Sequence, residues 1–366
     1  MDIVYLDYNA TSPVDKRVVE SMVEVWGHPL NPSSIHKLGQ KAKMMLERAR
    51  AQVIEALGLG SDYQVIFTAS GTESNNMALK GFPGMNVITS VVEHSSVLQV
   101  VGQGLIPVLK SGMVDLAAME EVISENGLVS VMYANNETGV VQAMEEVIAT
   151  AKRHNALVHT DATQALGKIN LNWGPVVPDL ITISAHKFGG PQGAGALVYH
   201  KDLGLNPLMK GGGQEFRMRP GTHNMTAIVG MGMACELLPE RIAKYTAIKR
   251  LRDDMERRIK DICSDAIIFG AAAQRLPNTS SISMPGVKAE TQVVYFDLAG
   301  IAVSAGSACS SGSVGLPHVQ AGMGYGMNEA GSAIRVSLGP DTKEEEINKF
   351  ILAWEKLYKS TNGEAK

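Results

Sequence analysis

Residues 179–199, DLITISAHKFGGPQGAGALVY, decide the fold class of this chain. An apolar, β-branched run ends at His186 and Lys187, a glycine-rich turn follows, and a second apolar run closes the stretch. Short apolar runs bounded by glycine read as buried strands. A surface lysine normally sits in a polar segment, whereas Lys187 stands where a strand ends. That is where ligand-contacting groups are found in an open α/β sheet. A partly buried lysine of lowered pKa can form a Schiff base with a carbonyl compound.

Working outward, the same kind of run recurs at QVIFTA (64–69), NVITSVV (86–92), VSVMYAN (129–135) and ALVHTDA (156–162), with LITISA and GALVYH continuing the series. Helical patterns fill the gaps, including SGTESNNMALKGF (70–82) and EEVIATAKRHN (145–155). Strands alternating with helices predict crossover connections and a large, mainly parallel sheet covered on both faces, an α/β fold. A core helix, TAIVGMGMACELL (226–238), is followed by a charged one, YTAIKRLRDDMERRIKDI (245–262). Beyond residue 266, strands at SSISMPG, GIAVSA and AIRVSL mix with a helical VVYFDLA and a final amphipathic helix. The expected division is a large domain over residues 14–245 and a smaller α+β domain built from residues 1–13 and 246–366.

Composition narrows the function classes. With 366 residues, 45% hydrophobic and 19% charged, the chain is that of a globular protein larger than one small core. A net charge of −4 argues against a general nucleic-acid or acidic-membrane binder. No signal-peptide pattern and no membrane-length apolar run occurs. Three cysteines without CxxC spacing argue against a disulfide framework or structural zinc, so no metal and a cytoplasmic setting are expected.

Several residues carry candidate chemistry. Ser70, Gly71 and Thr72 fall where a helix begins after a strand, a place that favours phosphate but that a simple helix cap explains equally well. His94 lies just past a strand, where a packed or surface histidine is the ordinary case, and Asn135 and Asn136 suit a turn. Asp161 is delivered to a strand end with Gln164 one turn on, and it precedes Lys187 by about one β-α-β step. A phosphate site, a histidine, a carboxylate and a lysine at one sheet edge are the parts needed to hold pyridoxal phosphate. Cys309 lies in VSAGSACSSGSVG, too rich in Ser, Ala and Gly to pack a core, which points to a nucleophile; Cys235 and Cys263 suit buried positions. Arg335, inside an apolar strand, needs an anionic partner, either a structural carboxylate or that of a substrate.

In order along the chain, YLDYNATSPV, NPSSIH, SGTESNN, EHSSV, NNETGVVQ, HTDATQALGK, SAHKFGGPQGAGAL, GGGQE, RPGT, SAGSACSSGS and IRVSLG resemble the cysteine desulfurases of the NifS/IscS group. These belong to the class V aminotransferase superfamily of fold-type I pyridoxal 5'-phosphate enzymes. The resemblance implies Lys187 as the Schiff-base lysine and Cys309 as the persulfide-forming nucleophile. It implies Gly71, Thr72, Ser184 and His186 at the cofactor phosphate, with Thr222 reaching the phosphate of the neighbouring subunit of a homodimer. His94 would stack on the ring and serve as acid or base, Asp161 would pair with the ring nitrogen, and Gln164 would bond near the ring hydroxyl. Asn31, Asn136 and Arg335 would hold the L-cysteine substrate, Asn136 also lying at the cofactor. An iron–sulfur scaffold or another sulfur acceptor is the implied partner. An aminotransferase, a selenocysteine lyase and a weakly active scaffold-binding subunit are the alternatives. Gly189, where a tyrosine is frequent, and Phe216–Arg217, where an Arg-Gly pair is common, depart from the pattern.

Overall fold

The computed structural model describes residues 3–306 and 317–362. It begins with a short strand, β1 (Val4–Tyr5), then α1 (Lys16–Trp26) and α2 (Lys37–Ala56). The Asp15 side chain starts α1 by accepting from Arg17 N–H, and the good helix formers of α2 sustain its length. Seven strands then build the main sheet: β2 (Tyr63–Thr68), β3 (Val87–Ser90), β4 (Leu105–Ile106), β5 (Leu128–Ser130), β6 (Leu157–Asp161), β7 (Leu180–Ser184) and β8 (Gly195–His200). Their order is β2-β8-β7-β6-β5-β3-β4. Neighbours from β7 to β4 pair in parallel, while β8 runs antiparallel to both β7 and β2.

The sheet is mainly parallel, as the alternation predicts, but the opening stretch is not a crossover unit. Ser184 pairs with Gly195, and the link between them holds one 3-10 turn, Ala185–Lys187, plus left-handed glycines at 189 and 193. That link is too short to carry a helix across the sheet, so β8 returns antiparallel. Similarly, only Leu128–Ser130 of the run around VSVMYAN pairs as strand.

Continuous apolar strands follow from burial on both faces. Ile181 and Ile183 join one cluster with α1, α2 and the helix Met225–Glu236, while Leu180 joins another with Met77 and Leu79 of α3 (Gly71–Lys80). The helix Leu238–Ile262 runs from Leu238 in the first cluster to Ile248, Met255 and Ile259 in a separate one. That separate cluster lies under β9 (Thr279–Ser283), β10 (Ile301–Ala302), β11 (Ser304–Ala305), β12 (Ala333–Ser337) and the helix Glu344–Asn362, with Phe350 and Trp354 fully buried. Here β1 pairs with β10, and β11-β12-β9 forms an antiparallel sheet. Cys235 and Cys263 are buried, as expected. Among the described residues no helix is long and apolar enough to cross a membrane.

Both departures from the family pattern have a local physical account. Gly189 has φ +84°, and a Cβ there would lie 2.8 Å from Arg241 Nη1. The left-handed backbone selects glycine, since the Arg241 guanidinium is the movable end of a long side chain. Glu215, Phe216 and Arg217 carry φ of 45°, 57° and 69°, three consecutive side chains in a region that costs about 1–3 kcal/mol each. The buried Glu215 carboxylate offsets this by accepting from Arg50 Nη1 (2.8 Å) and Nη2 (2.7 Å), Phe67 N–H (2.8 Å) and His223 Nε2 (2.7 Å). Burial pushes this carboxyl up, but the bonds from His223 and Arg50 outweigh it and hold it below the usual range. Glu215→Ala leaves the buried Arg50 only the half-exposed Glu47 carboxylate, 3.3 Å from Nε, and is expected to cost about 3 kcal/mol in chemical denaturation; a loss below about 1 kcal/mol would contradict this role.

Candidate active site

The C-terminal ends of β6 and β7 and the N-terminus of α3 face the N-terminal segment and β12 across a cavity of about 610 Å³. That volume suits a small molecule of cofactor size. Asp161 is the last residue of β6 and Ser184 the last of β7, so parallel pairing brings both to one edge. The 3-10 turn after β7 then projects Lys187, whose Nζ donates to the carbonyls of Asn9 and Ala10, each at 2.6 Å.

Gly71, Thr72, His94, Asn136, Asp161, Gln164, Ser184, His186, Lys187 and Arg335 all line this cavity. Thr222 is exposed and Asn31 lies in an exposed loop, accepting from Ser33 N–H; neither lines it. Cys309 lies outside the described residues; Ser304 and Gly306, just before it, line the cavity. Ser70 caps α3 by accepting from Glu73 N–H, yet Gly71 and Thr72 still face the cavity, so the cap does not consume the helix N-terminus. Arg335 has the structural carboxylate among its two candidate partners: Nη2 donates to Asp7 at 2.8 Å, and Nη1 donates to Asn136 O at 3.2 Å.

A hydrogen-bonded chain joins the acid to the histidine. Asn75 Nδ2 donates to Asp161 Oδ2 (2.8 Å) and to Ser96 Oγ (2.9 Å). His94 Nδ1 accepts from Ser96 N–H (3.1 Å) and lies 2.8 Å from Ser96 Oγ. With Nδ1 accepting, the neutral ring carries its proton on Nε2. Burial holds His94 below the ordinary histidine range, and burial with the nearby Lys187 brings His186 down to about 4. Both rings are therefore neutral at pH 7.

Glu93, beside His94, is fully buried: Oε1 accepts from Ser90 Oγ and Met132 N–H, and burial pushes its carboxyl up to about 8. Between the unfolded value of 4.5 and about 8, only the folded state keeps this proton. Its contribution to stability is fully present below the unfolded value and is lost as pH rises towards 8. Glu93→Gln should be within about 1 kcal/mol of wild type in thermal melts near about pH 5 and exceed it by about 4 kcal/mol near pH 8. An equal difference at both pH values would contradict the assignment.

Sequence reasoning missed Asp7, Asn9, Asn75, Ser96 and Thr163, which also line the cavity. Asn75 was within reach, because it sits one helical turn after Gly71 and so shares its face. Thr163 Oγ1, Asn75 Oδ1 and Arg335 Nε are buried without a hydrogen-bond partner. A Cβ at Gly71 would come 3.3 Å from Thr163 Oγ1, so a larger residue would crowd this hydroxyl at the cavity wall. Unsatisfied buried polar atoms call for a polar occupant. A helix N-terminus with three hydroxyls and a histidine suits a phosphate, and a carboxylate and an amine suit a pyridine aldehyde, so the residues present fit pyridoxal phosphate.

Comparison with known proteins agrees with this geometry. Residues 4–350 match the family model Aminotransferase class-V. Cysteine desulfurase IscS of Dictyoglomus turgidum is 39% identical, covering 97% of this chain and 94% of that protein. The putative cysteine desulfurase IscS 1 of Bacillus subtilis is 37% identical, covering 95% and 96%. Among solved structures, the NifS-like protein of Rickettsia africae superposes with a TM-score of 0.91 at 38% identity, covering 97% of this chain and 99% of that one. The chain belongs to the class-V aminotransferase family, in the group of NifS-like and IscS-like cysteine desulfurases.

Proposed function

We infer that the protein is a pyridoxal-phosphate-dependent cysteine desulfurase, converting L-cysteine to L-alanine with a persulfide on Cys309. The observation that carries this reading is the convergence on one cavity of Asp161 and Lys187, from adjacent strand ends, with Arg335, far away in sequence. When bound, the cofactor supplies a carbonyl for the lysine amine and a ring that withdraws electrons from the substrate α-carbon. Gly71, Thr72, Ser184 and His186 would hold its phosphate. Asp161, fixed by Asn75, would pair with the ring nitrogen and favour its protonated form, Gln164 would bond near the ring hydroxyl, and His94 would lie against the ring with its Nε2–H available for proton transfer. Arg335 and Asn136 hold the substrate carboxylate, and Lys187 Nζ moves the proton at the α-carbon. The Cys309 thiolate attacks the substrate sulfur: an S–S bond forms, the C–S bond breaks, and the carbon side takes up a proton to leave as alanine.

Residues 14–245 form the cofactor-binding domain, and residues 1–13 with 246–366 form the small domain carrying Cys309. The working unit is a homodimer. Trp26, Ile35 and Met44 are 78%, 91% and 74% exposed along α1, α2 and the loop between them, an apolar surface that a second copy covers. In that assembly Thr222 reaches the partner's phosphate site, and Asn31 contacts substrate. The sulfur passes to an acceptor protein for iron–sulfur cluster assembly in the reducing cytoplasm. Purified protein given L-cysteine and a thiol reductant should release alanine and sulfide in equal amounts. Amino transfer to a 2-oxo acid without sulfide would contradict the reading.

A further inference from the structure

Lys168 is a lysine that the reaction does not use, yet it is only 1% exposed and lies directly behind the cavity wall. Among the described residues no carboxylate pairs with it. Its Nζ instead donates to Gln164 Oε1 at 2.5 Å and to Asn9 Oδ1 at 2.7 Å. Burial, and then the nearby Lys187, Arg241 and Arg335 charges, lower its pKa well below the ordinary lysine value. An amine kept here at such cost, without an ion-pair partner, calls for a role beyond packing.

The geometry of Gln164 supplies one. An amide offers one oxygen and one NH2 group, and the two can exchange places by a flip. Lys168 engages the oxygen, and Nε2 donates to Asn9 O at 3.0 Å, the carbonyl that also receives Lys187. One N–H of Gln164 is therefore left over, and Gln164 lines the cavity. Were the amide reversed, Nε2 would face Nζ, donor against donor while the amine is charged, and Oε1 would meet Asn9 O, acceptor against acceptor. The site would then present a carbonyl oxygen where it now presents a donor.

We propose that Lys168 is a positioning residue: its buried amine locks the Gln164 amide with its N–H towards the cavity, so that the site offers a donor to the ring oxygen of the bound cofactor. This rests on the pyridoxal-phosphate reading above. A donor at that oxygen lowers the oxygen's hold on the neighbouring Schiff-base proton. Losing the donor raises the pH at which that proton leaves.

The test is a pH titration of the absorbance of bound cofactor in wild type, Lys168→Met, Gln164→Met and the double variant, with cofactor dissociation constants measured alongside. Lys168→Met should move the midpoint upward by about one pH unit. Gln164→Met should do the same, and adding Lys168→Met to it should move the midpoint no further. An equal further shift in the Gln164→Met background would mean that Lys168 acts through space and would overturn the proposal. So would a Lys168→Met protein that melts at lower temperature but titrates like wild type. Lys168→Gln, which can still donate to one oxygen, covers the case in which Lys168→Met does not fold; a midpoint no nearer to wild type than that of Gln164→Met overturns the proposal. Wild type that takes up no pyridoxal phosphate would overturn the cofactor reading itself, a result distinguishable from all of these.

Discussion

Lys187→Ala is expected to reduce alanine formation from L-cysteine by about a thousandfold or more, while leaving the fold intact. The side chain hangs from a 3-10 turn, and its Nζ contacts are to the carbonyls of Asn9 and Ala10, which belong to a different segment. Truncation to alanine removes these two hydrogen bonds to uncharged carbonyls. The phosphate cradle at the N-terminus of α3 does not depend on Lys187, so the variant should still take up pyridoxal phosphate. It should do so without a covalent link: the cofactor absorbance should be that of the free aldehyde, and gel filtration in denaturant should remove the cofactor even after borohydride treatment. A variant that keeps both wild-type absorbance and more than about a tenth of the activity would assign the lysine role elsewhere.

Cys309→Ser should separate cofactor chemistry from sulfur transfer. A thiolate is the nucleophile that the reaction needs, and a serine hydroxyl does not ionise near neutral pH. The variant should bind cofactor with wild-type absorbance, because Lys187, Asp161 and the α3 N-terminus are untouched. Its absorbance should still change when L-cysteine is added, yet alanine should fall by about a thousandfold or more. Loss of absorbance and activity together would show that the substitution damages the cofactor site instead. Alanine production at the wild-type rate would remove Cys309 from the mechanism.

Local pattern was enough for much of the architecture. Alternating apolar runs and helix signals marked every strand of the main sheet except the two-residue β4, because strands buried on both faces leave unbroken apolar runs. The direction of β8 was not legible. It depends on whether residues 185–194 can hold a crossover helix, and the glycines at 189 and 193 with one short turn show that they cannot. For the site, strand-end residues such as Asp161 and Lys187 could be placed, since a parallel sheet sets its ends at one edge. Asp7 and Asn9 could not, because they reach the cavity from an N-terminal segment held by β1–β10 pairing and by bonds to residues such as Ser337 and Thr279, far away in sequence. Nothing in HTDATQALGK singles out Lys168, since only the fold shows that its amine is buried against Gln164. Gly189 and Phe216–Arg217 stood out as departures, but their backbone conformations were needed to explain them.

The most direct test of the central claim is a single turnover in which holoenzyme, free of reductant and acceptor, meets one equivalent of L-cysteine. Alanine and the mass of the peptide containing Cys309 are then measured in the same sample. The account predicts one alanine per active site and one extra sulfur atom on Cys309, removable by a thiol. Alanine without sulfur on that peptide, or pyruvate or another keto acid in place of alanine, would contradict it.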